Sequence, residues 1–246
     1  RGLEPEEAAA LLQIEEAGLL AETFGTARAV KERIYGKRLV LFAPLYLSNH
    51  CVNNCRYCGF RRDNGRIARR RLSLEEIRAQ VGRLEDQGHK RLLLECGESP
   101  LSDLEFIEEA IAVVYGTRSG RGEIRRVNVN IAATTVENYR RLKAAKIGTY
   151  QLFQETYHRP TYEAVHEGPK RDYERQLFAH DRAMEAGLDD VGLGVLFGLY
   201  DYKFEVLALL HHAGHLEKKF GVGPHTISIP RWRPASGVDF VPPYPA

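Results

Sequence analysis

The chain has 246 residues, of which 43% are hydrophobic and 28% are charged. This composition excludes a disordered chain and a disulfide-stapled miniprotein, and the length suffices for one large α/β domain. Thirty-five basic and 33 acidic residues leave a formal net charge of +2, so no overall field favours nucleic acid or a membrane as partner. Apolar runs are far shorter than the roughly 20 residues that span a bilayer, and we expect a cytoplasmic protein.

Both ends of the chain are predicted to be cut from a longer protein. The chain starts at Arg1, without a methionine, and enters a helical pattern at Pro5. It finishes in the proline-rich segment 241–246, which contains no closing helix or strand. We therefore expect a fragment.

Hydrophobic periodicity predicts alternating strands and helices behind an N-terminal helical segment. Residues 5–33 are typical of one or two helices, so we assign 1–35 to an N-terminal extension and 36–246 to the main domain. A first buried strand is predicted over 38–46. Five further strands are predicted at 91–96, 126–131, 149–153, 191–197 and 226–229.

Capping boxes predict where three of the intervening helices begin. Each has Ser or Thr followed three residues later by Glu: Ser73-Leu-Glu-Glu76, Ser102-Asp-Leu-Glu105 and Thr134-Thr-Val-Glu137. Two more helices are predicted near 172–186 and 203–220. Such regular β-then-α units imply a parallel sheet, and both a doubly wound sheet and a partial (β/α) barrel fit. The first strand lacks the glycine-rich turn of a dinucleotide-binding fold.

Three of the four cysteines fall in one run, Cys51-Val-Asn-Asn-Cys55-Arg-Tyr-Cys58, directly after the first predicted strand. An odd number of thiols in one loop is a poor fit to disulfides, and Cys96 lies in a predicted interior strand. A structural zinc site with His50 as fourth ligand stays open, although zinc modules usually present two separated pairs of ligands. A [4Fe–4S] cluster suits the run better, because three thiolates leave one iron open to a bound cofactor.

The residues around this run resemble the cluster motif of radical S-adenosylmethionine (SAM) enzymes, whose barrels have about six parallel strands. The resemblance extends to the tyrosine lyase branch over residues 47–60, 95–100, 154–158 and 189–194. It implies a partial TIM-type (β/α) barrel with a [4Fe–4S] cluster on Cys51, Cys55 and Cys58, where SAM is reduced beside Tyr57. L-tyrosine is the implied substrate, cleaved between Cα and Cβ to p-cresol and dehydroglycine.

Two relatives within that branch differ in what they imply. Residues 126–138, 197–202 and 223–231 are similar to the tyrosine lyase of [FeFe]-hydrogenase maturation, which makes CO and CN⁻. The alternative is 2-iminoacetate synthase of thiazole biosynthesis, and a zinc-binding structural module is a third hypothesis. The first relative implies ferredoxin or flavodoxin as electron donor and other hydrogenase maturation proteins as partners.

The resemblance also assigns cofactor-binding roles to residues that follow the strands. Gly97 and Glu98 are expected to hold the amino group of SAM, and Glu155 to contact its ribose or methionine part. Arg175 is expected near the SAM carboxylate, although Gln176 stands where a more basic residue is expected. These residues would meet at the carboxyl ends of the parallel strands, where barrel enzymes carry their chemistry.

His225 precedes the last predicted strand and is therefore expected at the opposite mouth of the barrel. The resemblance implies that it helps to hold an extra iron on a second cluster, housed in a C-terminal domain. This chain has too few cysteines for two clusters, so we expect that domain, and CO and CN⁻ formation, to be absent. His211 and His215 are one helical turn apart, and for them, as for the arginine-rich segment 61–71, a solvated surface is favoured.

Overall fold

The computed structural model describes residues 2–120 and 122–244, so the terminal residues Arg1 and Ala246 lie outside the described residues, as do Arg121 and Pro245. Within the described part, six strands form one parallel sheet in chain order, β1 to β6. They span Ala43–Ser48, Arg91–Cys96, Arg126–Asn130, Tyr150–Gln151, Val191–Gly194 and Thr226–Ser228. This sequential order is that of a partial (β/α) barrel, which confirms the predicted fold class.

Helices connect each strand to the next. The sheet is preceded by α1 (Pro5–Leu11) and α2 (Ala17–Tyr35); the connections contain α3 (Leu74–Asp86), α4 (Leu104–Gly116), α5 (Val136–Ala144), α6 (Arg159–Val165), α7 (Tyr173–Leu177), α8 (Ala179–Glu185) and α9 (Tyr202–Phe220). Helix is present where it is predicted near 172–186, but as two helices instead of one, because Phe178, with a ψ of 17°, separates α7 from α8. No helix in the described ranges is long and apolar enough to cross a membrane.

The first strand begins five residues later than predicted. Residues 38–42 are not part of the sheet, and the side chains of Leu39 and Leu41 are 80% and 72% exposed. The strand begins at Ala43, where alternate residues become buried. An apolar run does not by itself distinguish a buried strand from exposed apolar chain, which is why periodicity placed this boundary wrongly.

Two helices have caps one residue later than predicted. Ser73 caps α3 as predicted. The cap of α4 is Asp103, because Ser102 belongs to a preceding 3-10 turn, and the cap of α5 is Thr135 instead of Thr134. In each case the residue after the predicted cap, Asp103 or Thr135, is also of a type whose side-chain oxygen can accept from a helical N–H. The sequence alone therefore leaves the choice of cap open.

The two faces of the strands carry different chemistry. One face packs against the helices in the main hydrophobic core, with side chains such as Leu45, Leu47, Leu92, Leu94, Val127 and Val129. The alternate residues point to the opposite face, and these include Tyr46, Glu95, Asn128, Asn130 and Gln151. The interior of the curved sheet is therefore a chamber with many polar side chains, unlike the packed apolar core of many barrels.

Candidate active site

The three clustered thiols lie on the loop after β1 and line one cavity of about 460 Å³ at the carboxyl ends of the strands. The Cys55 side chain is buried, and those of Cys51 and Cys58 are partly exposed. All four cysteines of the chain are described, and none is in a disulfide. The fourth, Cys96, ends β2 at the edge of the same cavity instead of lying deep in the core.

The surroundings of Cys55 and Cys58 favour the neutral form of these two thiols. Burial raises the pKa of Cys55 to about 12 and also raises the pKa of Cys58. Ligation as thiolates therefore requires a positively charged centre that displaces the protons.

The arrangement of the thiols fits a [4Fe–4S] cluster. In the described part of the chain, no group of three or more His, Cys, Asp or Glu side chains is placed to hold one metal ion. A [4Fe–4S] cube takes one thiolate on each iron, so its ligands surround a cluster and need not converge on one ion. Three thiols on the wall of one chamber are such a donor set.

The loop that carries the three cysteines, residues 49–71, is called the cysteine loop. It is folded around the guanidinium group of Arg69. Its Nη1 donates to the carbonyl oxygens of Asn49 at 2.6 Å and Phe60 at 2.9 Å, and its Nη2 donates to that of Arg61 at 2.5 Å. The expectation of a solvated loop is wrong for this arginine, because a planar fork of donors satisfies several loop carbonyls at once.

Gly97 lets the cysteine loop approach the end of β2. A Cβ at this position would lie 2.3 Å from the carbonyl oxygen of His50 and 2.9 Å from the Cβ of Cys51. The adjacent carbonyl of Glu98 accepts a hydrogen bond from the backbone N–H of Val52 at 2.8 Å. The absence of a side chain at Gly97 therefore sets the position of the first cysteine.

Glu98 and Arg175 form an ion pair beside the cavity. Arg175 Nη2 donates to Glu98 Oε1 at 2.6 Å, and Asn53 Nδ2 donates to Glu98 Oε2 at 2.7 Å. The Arg175 Nη1 atom is buried and has no hydrogen-bond partner within the described residues. Arg175 and Glu98 both line an adjoining cavity of about 390 Å³, and Glu98 also lines the cavity of the three thiols. A buried donor without a partner is uncommon, which makes this guanidinium group a candidate for binding a ligand oxygen.

Glu155 and Lys170 form a second ion pair inside the cavity. Lys170 Nζ donates to Glu155 Oε1 at 2.7 Å, and the two side chains are only 20% and 13% exposed. Burial alone would lower the pKa of Lys170, but the Glu155 carboxylate, together with Cys55 and Tyr162, outweighs burial and raises that pKa, so the ammonium is charged. Glu155 has a φ of 68°, which is uncommon for a residue with a side chain and marks a strained position after β4.

Sequence reasoning missed Lys170 and Asn53. Lys170 lies in the 3-10 turn Pro169–Arg171, and its backbone N–H donates to Asn53 Oδ1 at 2.8 Å. No periodic pattern marks that turn, and Gly168 before it indicates a loop but not where the loop folds. Asn53 stands between two cysteines in a loop, and asparagine is so common in turns that its presence there does not predict a functional role. Only the folded chain shows that it links Glu98 to Lys170.

Tyr57 and Gln176 also line the chamber. The Tyr57 hydroxyl lies 2.8 Å from His166 Nε2, and its ring packs with Cys55 in a small apolar cluster. Gln176 Nε2 donates to the carbonyl oxygen of Phe153 at 2.7 Å. This glutamine therefore supports the loop after β4, while Lys170 brings a positive charge into the same chamber.

The predicted histidines lie elsewhere. His225 is exposed at the start of β6, where its N–H donates to the carbonyl of Val191 at the start of β5. It is therefore at the end of the sheet opposite the cysteines, as expected, and its ligand role stays a prediction. His211 and His215 line a separate cavity beside α8 and α9. Both are exposed as expected, and His215 Nε2 also lies 2.8 Å from Asp181 Oδ1.

Comparison with solved structures shows a close relation along almost the whole chain. The crystal structure of HydG, a maturase of the [FeFe]-hydrogenase, is 60% identical with a TM-score of 0.97, and the match covers 100% of this chain and 55% of that one. HydG from Carboxydothermus hydrogenoformans is 50% identical with a TM-score of 0.92, covering 97% and 55% of the two chains. The chain thus spans a little over half the length of these proteins.

Curated relatives and the family profile agree with this relation. The 2-iminoacetate synthase of Salmonella typhimurium is 30% identical over 231 residues, which are 93% of this chain and 59% of the relative. The profile of the Radical SAM superfamily matches residues 45–213, from β1 into α9. That stretch contains the three clustered cysteines and both ion pairs of the chamber. The chain therefore belongs to the radical SAM superfamily, whose members use a [4Fe–4S] cluster and SAM.

Proposed function

We propose that this chain carries the radical SAM lyase activity that cleaves the Cα–Cβ bond of L-tyrosine to p-cresol and dehydroglycine. The proposal rests on one observation: the three-thiol chamber with its two ion pairs lies in a chain 60% identical to a [FeFe]-hydrogenase maturase. The protein would act in the cytoplasm, and in full length it would supply CO and CN⁻ for hydrogenase maturation. Cys51, Cys55 and Cys58 are the proposed cluster ligands.

A [4Fe–4S] cluster bound there supplies one-electron chemistry toward SAM. The chain's own residues hold the polar parts of SAM. The Glu98 carboxylate has acceptor capacity left for the amino group of SAM, beside the backbone of Gly97. The unpartnered Nη1 of Arg175 and the ammonium of Lys170 provide positive charge for its carboxylate.

The remaining walls orient the cofactor and limit water. Tyr57 offers a buried aromatic ring for the adenine, and Glu155 is held in the chamber by its strained backbone and by Lys170. A buried, pre-organised site of this kind protects reactive intermediates from solvent. At the opposite end of the sheet, His225 is proposed to bind an iron of a second cluster whose cysteines lie outside this chain.

The second candidate function is that of 2-iminoacetate synthase. The curated synthase from Salmonella typhimurium aligns with 93% of the chain, but at 30% identity, against 50–60% for the two HydG structures. Both candidates share the tyrosine cleavage, so the chamber alone does not separate them.

The test is anaerobic reconstitution with iron and sulfide, followed by incubation with SAM, dithionite and L-tyrosine. We expect p-cresol and 5′-deoxyadenosine on chromatography, and neither from Cys55→Ala. Deoxyadenosine without p-cresol would exclude tyrosine as the substrate, and a colourless protein with stoichiometric zinc would exclude the cluster.

The SAM-binding part of the proposal is tested by Lys170→Met, with exposed Lys143→Met on α5 as its control. Removing the buried ammonium is expected to weaken SAM binding about tenfold or more at unchanged iron content, because a charge-assisted contact is lost. Equilibrium dialysis with labelled SAM measures the affinity. Equal affinities of the two variants would remove Lys170 from the proposed site.

A further inference from the structure

A cavity of about 490 Å³ lies on the outer side of the cysteine loop. Its wall includes Val165, which on its other side packs in the apolar cluster that contains Cys55 and Tyr57. Arg56, the residue between those two, is exposed and lines the outer cavity. The loop that carries the buried thiol is therefore separated from solvent by little more than one side chain at this point.

Three arginine side chains border this outer cavity: Arg56, Arg61 and Arg171. Within the described residues, none of their guanidinium groups lies within ion-pair distance of a carboxylate. The two acidic residues of the cavity are already paired, Glu163 with Arg159 at 2.9 Å and Glu167 with Arg62 at 2.7 Å. Arg159 also pairs with Glu174, and Arg62 also pairs with Asp63, so five arginines face four carboxylates here. The excess of positive charge is small, and it is concentrated on the three unpaired guanidinium groups at the cavity.

Backbone and side-chain bonds join the outer cavity to the chamber. The N–H of Arg56 donates to the carbonyl of Val165 at 2.9 Å, and the N–H of Asn54 donates to that of Glu167 at 3.0 Å. On the buried side, the Tyr57 hydroxyl meets His166 Nε2 at 2.8 Å. A protein bound at this cavity would therefore contact the segment that packs directly against the cysteine loop.

We propose that this arginine pocket, formed by Arg56, Arg61 and Arg171, docks an acidic flavoprotein whose flavin transfers one electron. The inference rests on the proposed function, since only a redox cluster on the three cysteines requires an electron here. One electron would leave the carrier, which is oxidised, and reduce the cluster, with no bond made or broken. Carboxylates on the carrier fit unpaired guanidinium groups, and their attraction would steer association.

The pocket lies close to Cys55, one of the proposed cluster ligands. Because electron transfer slows steeply with distance, a carrier bound there would be well placed to reduce the cluster. Three other arginines lack this combination of an unpaired guanidinium group and a place beside the cysteine loop. Arg62 and Arg159 are already paired with carboxylates. Arg78 is exposed on α3 and lines neither of the two cavities beside the cysteine loop. Arg78 is therefore the matched control for a change of surface charge.

The experiment compares Arg171→Glu and the double variant Arg56→Glu/Arg171→Glu with Arg78→Glu. Flavodoxin is the probe: its affinity is measured by fluorescence anisotropy, and its hydroquinone is used to reduce the reconstituted protein in stopped flow. At low ionic strength, charge reversal in the pocket is expected to reduce the affinity and the rate about tenfold or more, with the difference shrinking at high salt. Arg78→Glu is expected to stay within about twofold of the parent protein.

Dithionite and iron-free protein keep the two proposals separate. Dithionite needs no docking, so its reduction rate and the iron content should be the same in all variants. A parent protein that assembles no cluster would contradict the proposed function, while anisotropy with iron-free protein would still test the docking. Unchanged flavodoxin affinity and rate in the double variant, or an equal loss in Arg78→Glu, would overturn the arginine pocket.

Discussion

Single residues decide how closely the cysteine loop approaches the sheet. Gly97 lies against the backbone of His50 and the side chain of Cys51, whereas Gly65, in the same cysteine-bearing loop, has no atom within 4 Å of its ideal Cβ position. Both glycines are predicted to stand in loops, and the sequence does not indicate how closely other atoms approach either of them. Their different surroundings arise only when β2 pairs with β1 and brings Gly97 beside the first thiol.

Gly97→Ala is therefore expected to displace Cys51 and to prevent most cluster incorporation. The contact of a new methyl with backbone cannot relax by a side-chain rotation, so we also expect a loss of about 1–3 kcal/mol in the free energy of unfolding. Iron and sulfide analysis after anaerobic reconstitution, together with urea unfolding, measures both effects. Gly65→Ala should retain full iron content, and a fully loaded Gly97→Ala protein would contradict the argument.

At the scale of one element, competition between adjacent caps decides where a helix begins. Ser102 and Asp103 are both favourable caps for α4, and the sequence contains a complete capping box for the first. The Asp103 carboxylate accepts the hydrogen bond from the N–H of Phe106 at 3.0 Å, while the Ser102 hydroxyl is buried without a partner in the described chain. Ser102 is instead the last residue of the preceding 3-10 turn, Pro100–Ser102.

Asp103→Ala is expected to lower the free energy of unfolding by about 1 kcal/mol, which is typical for loss of a helix cap. Ser102→Ala should be close to neutral, because its hydroxyl caps nothing. Urea unfolding of the two variants at pH 7 compares them directly. A larger loss for Ser102→Ala than for Asp103→Ala would show that the helix begins at the predicted box after all.

For the whole molecule, buried histidines between α8 and α9 link stability to pH. The rings of His180 and His212 are 5.8 Å apart, and the His212 Nδ1 atom lies 2.7 Å from the Tyr157 hydroxyl. Burial lowers the pKa of His180 to about 3 and the pKa of His212 to about 4. Both side chains are therefore neutral in the folded protein at pH 7, and protonation favours the unfolded chain.

The fold is expected to lose stability as the pH falls below about 6.5, the pKa of an unfolded histidine. Above that pH the unfolded chain binds no extra proton. Below it, each of the two histidines contributes a loss approaching about 1.4 kcal/mol per pH unit, down to its folded pKa. Urea unfolding between pH 7 and pH 5 measures this slope. His212→Phe should reduce the slope and exposed His211→Asn should not, so equal slopes would exclude the coupling.

Much of the fold could be predicted because its signals are local. The strands at 91–96 and 126–131 alternate or run apolar between turn signals, and Ser73 with Glu76 marks a helix start that the structure confirms. The boundary errors have the opposite cause. Residues 38–42 are as apolar as a buried strand, and their exposure depends on what packs over them. Phe178 ends one helix and precedes the next, and the hydrophobic periodicity of the sequence does not indicate this break.

The sequence by itself determined the order of strands and helices and the three closely spaced thiols. Both depend on residue type and spacing along the chain, as does the family to which those thiols point. The tertiary structure alone decided which distant side chains complete the chamber. Lys170 meets Glu155, and Asn53 joins Glu98 to Lys170, because parallel strands bring their carboxyl ends to one edge. Ion pairing and burial depend on distance in space, which spacing along a chain does not encode.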